Sequence, residues 1–157
     1  MEHELRTSFE IPVPLDAVFA FFSEAANLER ITPRELNFRI VTPLPIHMER
    51  GVVIAYRLRL FGVPFGWTSR ITTWDPPHRF VDEQVKGPYA VWVHTHTFER
   101  TATGTLVNDS VRYRLPLTPL GDVAHPLVRR QLGRIFAFRE QAVRTALVDS
   151  EASQAGP

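Results

Sequence analysis

Residues 3–11 alternate strictly, with Leu5, Thr7, Phe9 and Ile11 on one face and Glu4, Arg6, Ser8 and Glu10 on the other. That period of two predicts a half-buried strand, which Pro12 and Pro14 end. From Leu15 the period changes, and Leu15, Val18, Phe19 and Phe22 recur at helical spacing. A second short helix is expected over Ala25–Ile31, closed by Thr32-Pro33. Six further strand-like runs follow: Glu35–Thr42, Val52–Phe61, Val63–Trp74, Arg79–Lys86, Ala90–Arg100 and Thr105–Leu115. Short turns join most of them, so neighbours pair as antiparallel hairpins. Residues 43–50 make a longer connection. Helical spacing returns at Val128, Leu132, Ile135, Phe136, Val143 and Leu147.

These elements predict an α+β fold. A seven-stranded antiparallel sheet needs its apolar face covered, and the long C-terminal helix is the one element large enough to cover it. The sheet is therefore expected to curve around that helix, with two short helices after the first strand and space between helix and sheet. Residues 1–147 form a single domain; residues 148–157, small and polar, are expected to be a disordered tail.

Composition restricts the chemistry more than the fold. The chain has no cysteine, which excludes thiol nucleophiles, disulfides and iron–sulfur clusters. Its 18 basic and 17 acidic residues leave a net charge of +1, too little to collect nucleic acid or an anionic membrane. The N-terminus lacks the apolar core of a signal peptide, and no apolar run approaches the ~18 residues of a membrane span. A cytoplasmic protein is expected, with a small-molecule ligand, no nucleic-acid partner and no stable membrane anchoring; its oligomeric state stays open. No glycine-rich phosphate loop, GxSxG elbow or HExxH motif is present, and no cofactor is expected.

The hairpin around Gly87-Pro88-Tyr89 places the polar chemistry. Before it, Phe80, Asp82, Gln84 and Lys86 share a face; after it, Trp92, His94, His96 and Phe98 do. Pairing Lys86 with Ala90 sets Gln84 opposite Trp92, Asp82 opposite His94 and Phe80 opposite His96. The aromatic residues turn this face inward, so a carboxylate and two imidazoles are buried with it. Unpaired polar burial costs several kcal/mol, so these groups either satisfy one another or orient a ligand. Asp82 with two histidines two residues apart could also face a metal, but spacing alone is slight evidence, and no metal site is assigned. A tuned His94–Asp82 acid–base pair is a further reading. On the terminal helix Arg139 sits in mid-stripe, flanked by Ile135, Phe136 and Val143. It either snorkels or bridges to a sheet carboxylate such as Asp82, or it holds a ligand oxygen. On the other strands Ile54, Tyr56 and Leu58 face inward, as do Val111, Tyr113 and Leu115. Pairing across Gly62 is expected to set Leu58 by Trp67, Tyr56 by Ser69 and Ile54 by Ile71. Phe61, Val63, Pro64 and Phe65 form an apolar hairpin tip, read as a lid, a partner contact or a segment buried under the helix.

Three stretches carry a family resemblance: FEIPVPLDAVFAFFSEAANLERITP at 9–33, FVDEQVKGPYAVWVHTHTFE at 80–99 and LVNDSVRYRLPLTPLG at 106–121. They resemble the START/Bet v1-like superfamily, which includes polyketide cyclases and coenzyme Q-binding proteins, over about residues 3–147. The resemblance implies a helix-grip fold with an internal hydrophobic cavity, and functions that run from lipid carriage and quinone binding to sensing and ring cyclisation. The expected function is binding, transport or sensing of a hydrophobic or amphipathic molecule such as a lipid, quinone or polyketide. The expected ligand-binding residues are Tyr56, Leu58, Trp67, Asp82, Gln84, Trp92, His94, His96, Tyr113, Phe136 and Arg139, with Phe19, Phe22, Ile54 and Val143 adding apolar contact. The alternatives are a polyketide-type cyclase, aromatase or dehydratase with His94 and Asp82 as acid–base pair, and an interaction module with a closed core.

Overall fold

The alternating runs assemble into one seven-stranded antiparallel sheet whose order is 1-7-6-5-4-3-2. The computed structural model describes residues 1–117 and 119–154, apart from the side chains of Glu151 and Gln154. The strands are β1 (Glu2–Ile11), β2 (Arg39–Ile40), β3 (Val53–Leu60), β4 (Val63–Asp75), β5 (Arg79–Lys86), β6 (Val91–Arg100) and β7 (Thr105–Arg114). The helices are α1 (Leu15–Ser23), α2 (Asn27–Arg30), α3 (Leu120–Val123) and α4 (His125–Gln154). This is the helix-grip arrangement. Consecutive hairpins build the sheet from β2 to β7, and β1 closes against β7 with Phe9 beside Val107.

Several elements depart from the periodicity. The run Glu35–Thr42 keeps only Arg39–Ile40 as strand, because Arg34–Leu36 form a 3-10 turn and Asn37 takes a left-handed conformation at φ 44°. Asparagine tolerates that region better than most residues, and its use here interrupts the ladder. The β3–β4 turn contains just Phe61 and Gly62, both at positive φ, as a tight twisted hairpin requires. Leu60 consequently pairs with Val63, Tyr56 with Trp67 and Ile54 with Ser69, two residues away from the expected register. A slip of two preserves faces, so the same side chains still point inward. An irregularity between Ile71 and Thr73 in β4 then turns Trp74 inward, where it pairs with Phe80 and packs on Phe19.

The terminal helix runs to Gln154, so residues 148–154 are helical rather than part of a disordered tail; residues 155–157 lie outside the described residues. Once a long helix is anchored by packing, adding small polar residues to its end needs no new nucleation. Among the described residues, no helix is long and apolar enough to cross a membrane.

Aromatic and aliphatic side chains pack together in distinct clusters. Phe9, Ile11, Phe19, Phe98, Val107, Val143 and Leu147 belong to one cluster; Val111, Tyr113, Leu115, Leu132 and Phe136 form a second. Phe38, Leu58 and Trp67 make a third under β3 and β4. Helix α4 thus contributes Val143 and Leu147 to the first cluster and Leu132 and Phe136 to the second. Between them Ile135 and Arg139 face a cavity. Phe19 and Val143 are packed into the first cluster and do not line it. The hairpin tip is neither lid nor core: Phe61 and Val63 stand more than half exposed, and neither lines the cavity.

Candidate functional site

The cavity has a volume of about 140 Å³. Its walls are apolar: Phe22 from α1, Leu58 from β3, Trp67 from β4, Trp92 from β6 and Phe136 from α4. Trp67 and Trp92 meet edge to face, with ring centroids 5.1 Å apart, and Tyr56 stacks on Trp67 at 5.9 Å. The exposed Glu24, with Asn27 and Met48, lines the side nearest solvent.

One wall is polar, and its geometry follows from register. Asp82 lies directly opposite His94, and His96 lies opposite Asp109 on β7. The rings do not bond to their directly opposed carboxylates alone. His94 Nε2 is 2.8 Å from Asp109 Oδ1, and His96 Nε2 is 3.0 Å from Asp82 Oδ2. His96 Nδ1 also lies 2.8 Å from Asp109 Oδ1, though poorly aligned for a hydrogen bond. His94 Nδ1 is 3.7 Å from Asp82 Oδ2, beyond hydrogen-bond distance. The two imidazoles sit 3.7 Å apart between centroids, and Phe80 stacks on His96 at 4.1 Å.

Burial opposes charge on all four groups, and the contacts decide which keep it. For Asp109, the His94 hydrogen bond and the close contact with His96 outweigh burial and hold the carboxyl well below the usual range. For Asp82, burial is outweighed by the His96 bond and by the charges of His94, His96 and Arg139. Burial lowers the proton affinity of His94, His96 lowers it further, and Asp109 and Asp82 only partly restore it. Burial acts on His96 too, but its contacts with both carboxylates prevail and raise its proton affinity. Two carboxylates therefore face the Arg139 guanidinium and His96, the imidazole of the pair that holds a proton more firmly, while His94 favours its neutral form.

These directions predict an asymmetric titration. His96 should titrate above the usual 6.5 and His94 below it. The stabilising contribution of His96 is complete below 6.5 and fades as pH rises through its folded value; that of His94 is complete above 6.5 and fades on acidification. Asp82 and Asp109 add contributions present above about 3.8 that are lost at lower pH. Ring-nitrogen NMR between about pH 4 and pH 9 checks this. Two separate steps are expected, and a single shared step near 6.5 would contradict the assignment.

Arg139 faces the same wall from α4. Its guanidinium lies 5.1 Å from the Phe136 ring centroid, and its Nε is buried without a hydrogen-bond partner among the described residues. It forms no salt bridge with Asp82 and acts on that carboxylate through its field. Across the cavity Ser69 Oγ accepts from Trp67 Nε1 at 3.1 Å and lies 3.2 Å from the Tyr56 hydroxyl. Burial, with the charge of Asp82, pushes the Tyr56 hydroxyl up, so it remains a donor.

Of the expected site residues, Tyr56, Leu58, Trp67, Asp82, Trp92, His94, His96, Phe136 and Arg139 line the cavity, as do Phe22 and Ile54. Gln84 and Tyr113 do not. The Gln84 amide closes the β5–β6 hairpin, donating to the Tyr89 carbonyl at 2.7 Å and accepting from its N–H at 3.2 Å. The Tyr113 ring is buried in the second cluster, and its hydroxyl lies 3.1 Å from His125 Nε2. Asp109 is the residue that sequence reasoning missed. Its signal was present, since it lies two positions before Val111 on a face already identified as inward. The carboxylate hydrogen-bonded to His94 is that of Asp109, and Asp82 stands 3.7 Å from its other ring nitrogen.

The profile of the family described as polyketide cyclase / dehydrase and lipid transport matches residues 2–147. The chain belongs to that family. No curated protein matches the sequence. Among solved structures, the Zhui aromatase/cyclase from Streptomyces sp. R1128 is similar over 100% of both chains, with 14% identity and a TM-score of 0.81. A START superfamily protein from Mycobacterium smegmatis is similar over 94% of this chain and 98% of its own, with 10% identity and a TM-score of 0.71. A nucleoside-diphosphate sugar epimerase from Corynebacterium glutamicum is 26% identical over 89% of this chain but only 28% of its own, with a TM-score of 0.65. Family membership and these likenesses agree with the helix-grip fold; the residues inside the cavity have to carry the choice of function.

Proposed function

We propose that the protein binds an amphipathic small molecule, with its apolar body in the cavity and an oxygen-bearing end at Arg139. The observation that carries this reading is the buried Arg139 Nε, a charged donor without a hydrogen-bond partner among the described residues, in a cavity whose walls are mostly apolar. Such a group costs free energy unless something accepts from it, and the planar guanidinium suits a carbonyl, carboxylate or phenolate. Size adds a constraint. The cavity's 140 Å³ compares with engineered cavities of ~150 Å³ that admit benzene, so the enclosed part holds a ring or a short chain. A longer lipid, quinone or polyketide extends past Glu24 and Met48.

One observation favours catalysis as a second reading. His94 is held by Asp109 through Nε2, which leaves Nδ1 without a hydrogen bond in a residue that lines the cavity. A neutral imidazole oriented by a buried carboxylate is the arrangement a general base requires, and proton abstraction from a bound polyketide-like carbonyl compound would use it.

Arg139→Met tests the ligand reading. Saturation at 100 times Kd stabilises a protein by ~2.7 kcal/mol, which at this chain length raises the melting temperature by roughly 5–10 °C. Wild-type protein should show such shifts with some members of lipid, quinone and aromatic-acid panels. Arg139→Met should weaken oxygen-ended ligands by about 10- to 100-fold, the worth of a charged hydrogen bond, while sparing purely apolar ones. Equal affinity of both proteins for every ligand would remove Arg139 from the site.

A further inference from the structure

Two histidines spaced i, i+2 on a strand are common in sheets, and spacing alone says little about metals. Asp109 changes the case. An imidazole offers one ring nitrogen to a metal when the other carries the proton, and metal-ligating histidines usually hand that N–H to a carboxylate or carbonyl. Here one buried carboxylate oxygen, Asp109 Oδ1, stands 2.8 Å from His94 Nε2 and 2.8 Å from His96 Nδ1. With protons on those two nitrogens, His94 Nδ1 is a free donor, and His96 Nε2 becomes one when a cation displaces the proton it shares with Asp82. Both lie near the same atom, Asp82 Oδ2, at 3.7 and 3.0 Å.

The spacing suits a small cation. Asp82, His94 and His96 offer ligand atoms that all lie within 4.8 Å of one another. Metal–nitrogen and metal–oxygen distances of ~2.0–2.2 Å place adjacent ligands ~3.0–3.5 Å apart, so the two nitrogen distances to Asp82 Oδ2 fit within a few tenths of an ångström and the widest pair closes by at most about 1.3 Å. His96 Nδ1 is the less well aligned of the two outer nitrogens, so the adjustment includes a small turn of that ring. All three ligand residues line the cavity, which leaves coordination positions open toward a bound molecule.

We propose that Asp82, His94 and His96 form a binding site for a divalent first-row transition cation, with Asp109 behind them fixing the tautomer of both histidines. Two imidazoles and one carboxylate are a ligand set taken by zinc, cobalt and ferrous ions, whereas magnesium and calcium prefer oxygen alone. The proposal does not depend on the organic ligand, because the cation can be titrated into the protein by itself.

The test uses the full chain, freed of metal by chelation and titrated with Zn²⁺ by calorimetry and with Co²⁺ by visible absorption. One ion per chain is expected. Asp82→Asn should weaken binding at least about tenfold, and Asp109→Asn, which leaves every ligand in place, by about 10- to 100-fold. His125→Gln, at the separate His3–His125 stack, should change nothing. Where a variant does not fold, proton NMR of the Co²⁺-loaded wild type serves instead: two exchangeable imidazole N–H resonances with large paramagnetic shifts are expected, from His94 and His96. Failure of the folded wild type to take up a single ion, uptake insensitive to Asp82→Asn, or shifted resonances from other histidines would overturn the proposal.

Discussion

Asp109→Ala should destabilise the protein by about 3–5 kcal/mol, the usual cost of removing one partner from a buried charge pair. The residue is only 3% exposed, so water cannot replace its side chain. It accepts from His94 at 2.8 Å and stands the same distance from His96 Nδ1. Without it His94 Nε2 loses its acceptor, and His96 keeps Asp82 as its one carboxylate. The pH profile sharpens the expectation. Removing Asp109 takes away much of what holds the His96 proton, so the step above 6.5 should move down toward or below it. Urea unfolding followed by tryptophan fluorescence measures the loss, and the ring-nitrogen titration measures the shift. A loss below about 1 kcal/mol, the scale of an exposed ion pair, would show that Asp109 does not hold the cluster together.

Phe98→Ala should be equally costly and should leave the ligand site alone. Phe98 is 1% exposed and meets Phe19, Phe22 and Phe80 at centroid distances of 5.4, 5.1 and 6.0 Å. Truncating such a residue loses its transfer free energy and leaves a void that neighbouring rings fill only in part, together about 3–5 kcal/mol. At this chain length the melting temperature should fall by roughly 10 °C or more. Phe98 does not line the cavity, so each ligand should raise the variant's melting temperature by about as much as the wild type's. Loss of ligand response together with stability would mean that core and cavity are one packing unit.

The faces of this sheet were readable because a period of two survives almost any error in pairing. The β3–β4 register was read two residues out, yet Tyr56, Leu58 and Trp67 still reached the cavity. The Asp82–His94 and Phe80–His96 pairings followed correctly from the Gly87-Pro88-Tyr89 turn. Which carboxylate each ring bonds to could not follow from that hairpin alone. The answer depends on β7, which places Asp109 opposite His96 and lets it reach both rings. Gln84 was read as inward because alternation ignores a backbone that offers both a donor and an acceptor at Tyr89. Trp74 needed the irregularity in β4, which periodicity cannot announce. Arg139 was the clearest anomaly in the sequence, and it remains the clearest in the fold: a guanidinium on the buried side of α4 with no protein partner for Nε among the described residues.

Native mass spectrometry of freshly expressed protein, followed by extraction of what it carries, tests the central claim most directly. A fraction of molecules should be heavier than the 18.0 kDa chain by one small molecule. The extract should be an amphipathic compound with a ring or short chain and an oxygen-bearing end, and Arg139→Met protein should carry less of it. A bare chain in every preparation, with no thermal shift across the lipid, quinone and polyketide panels, would contradict a ligand-binding cavity.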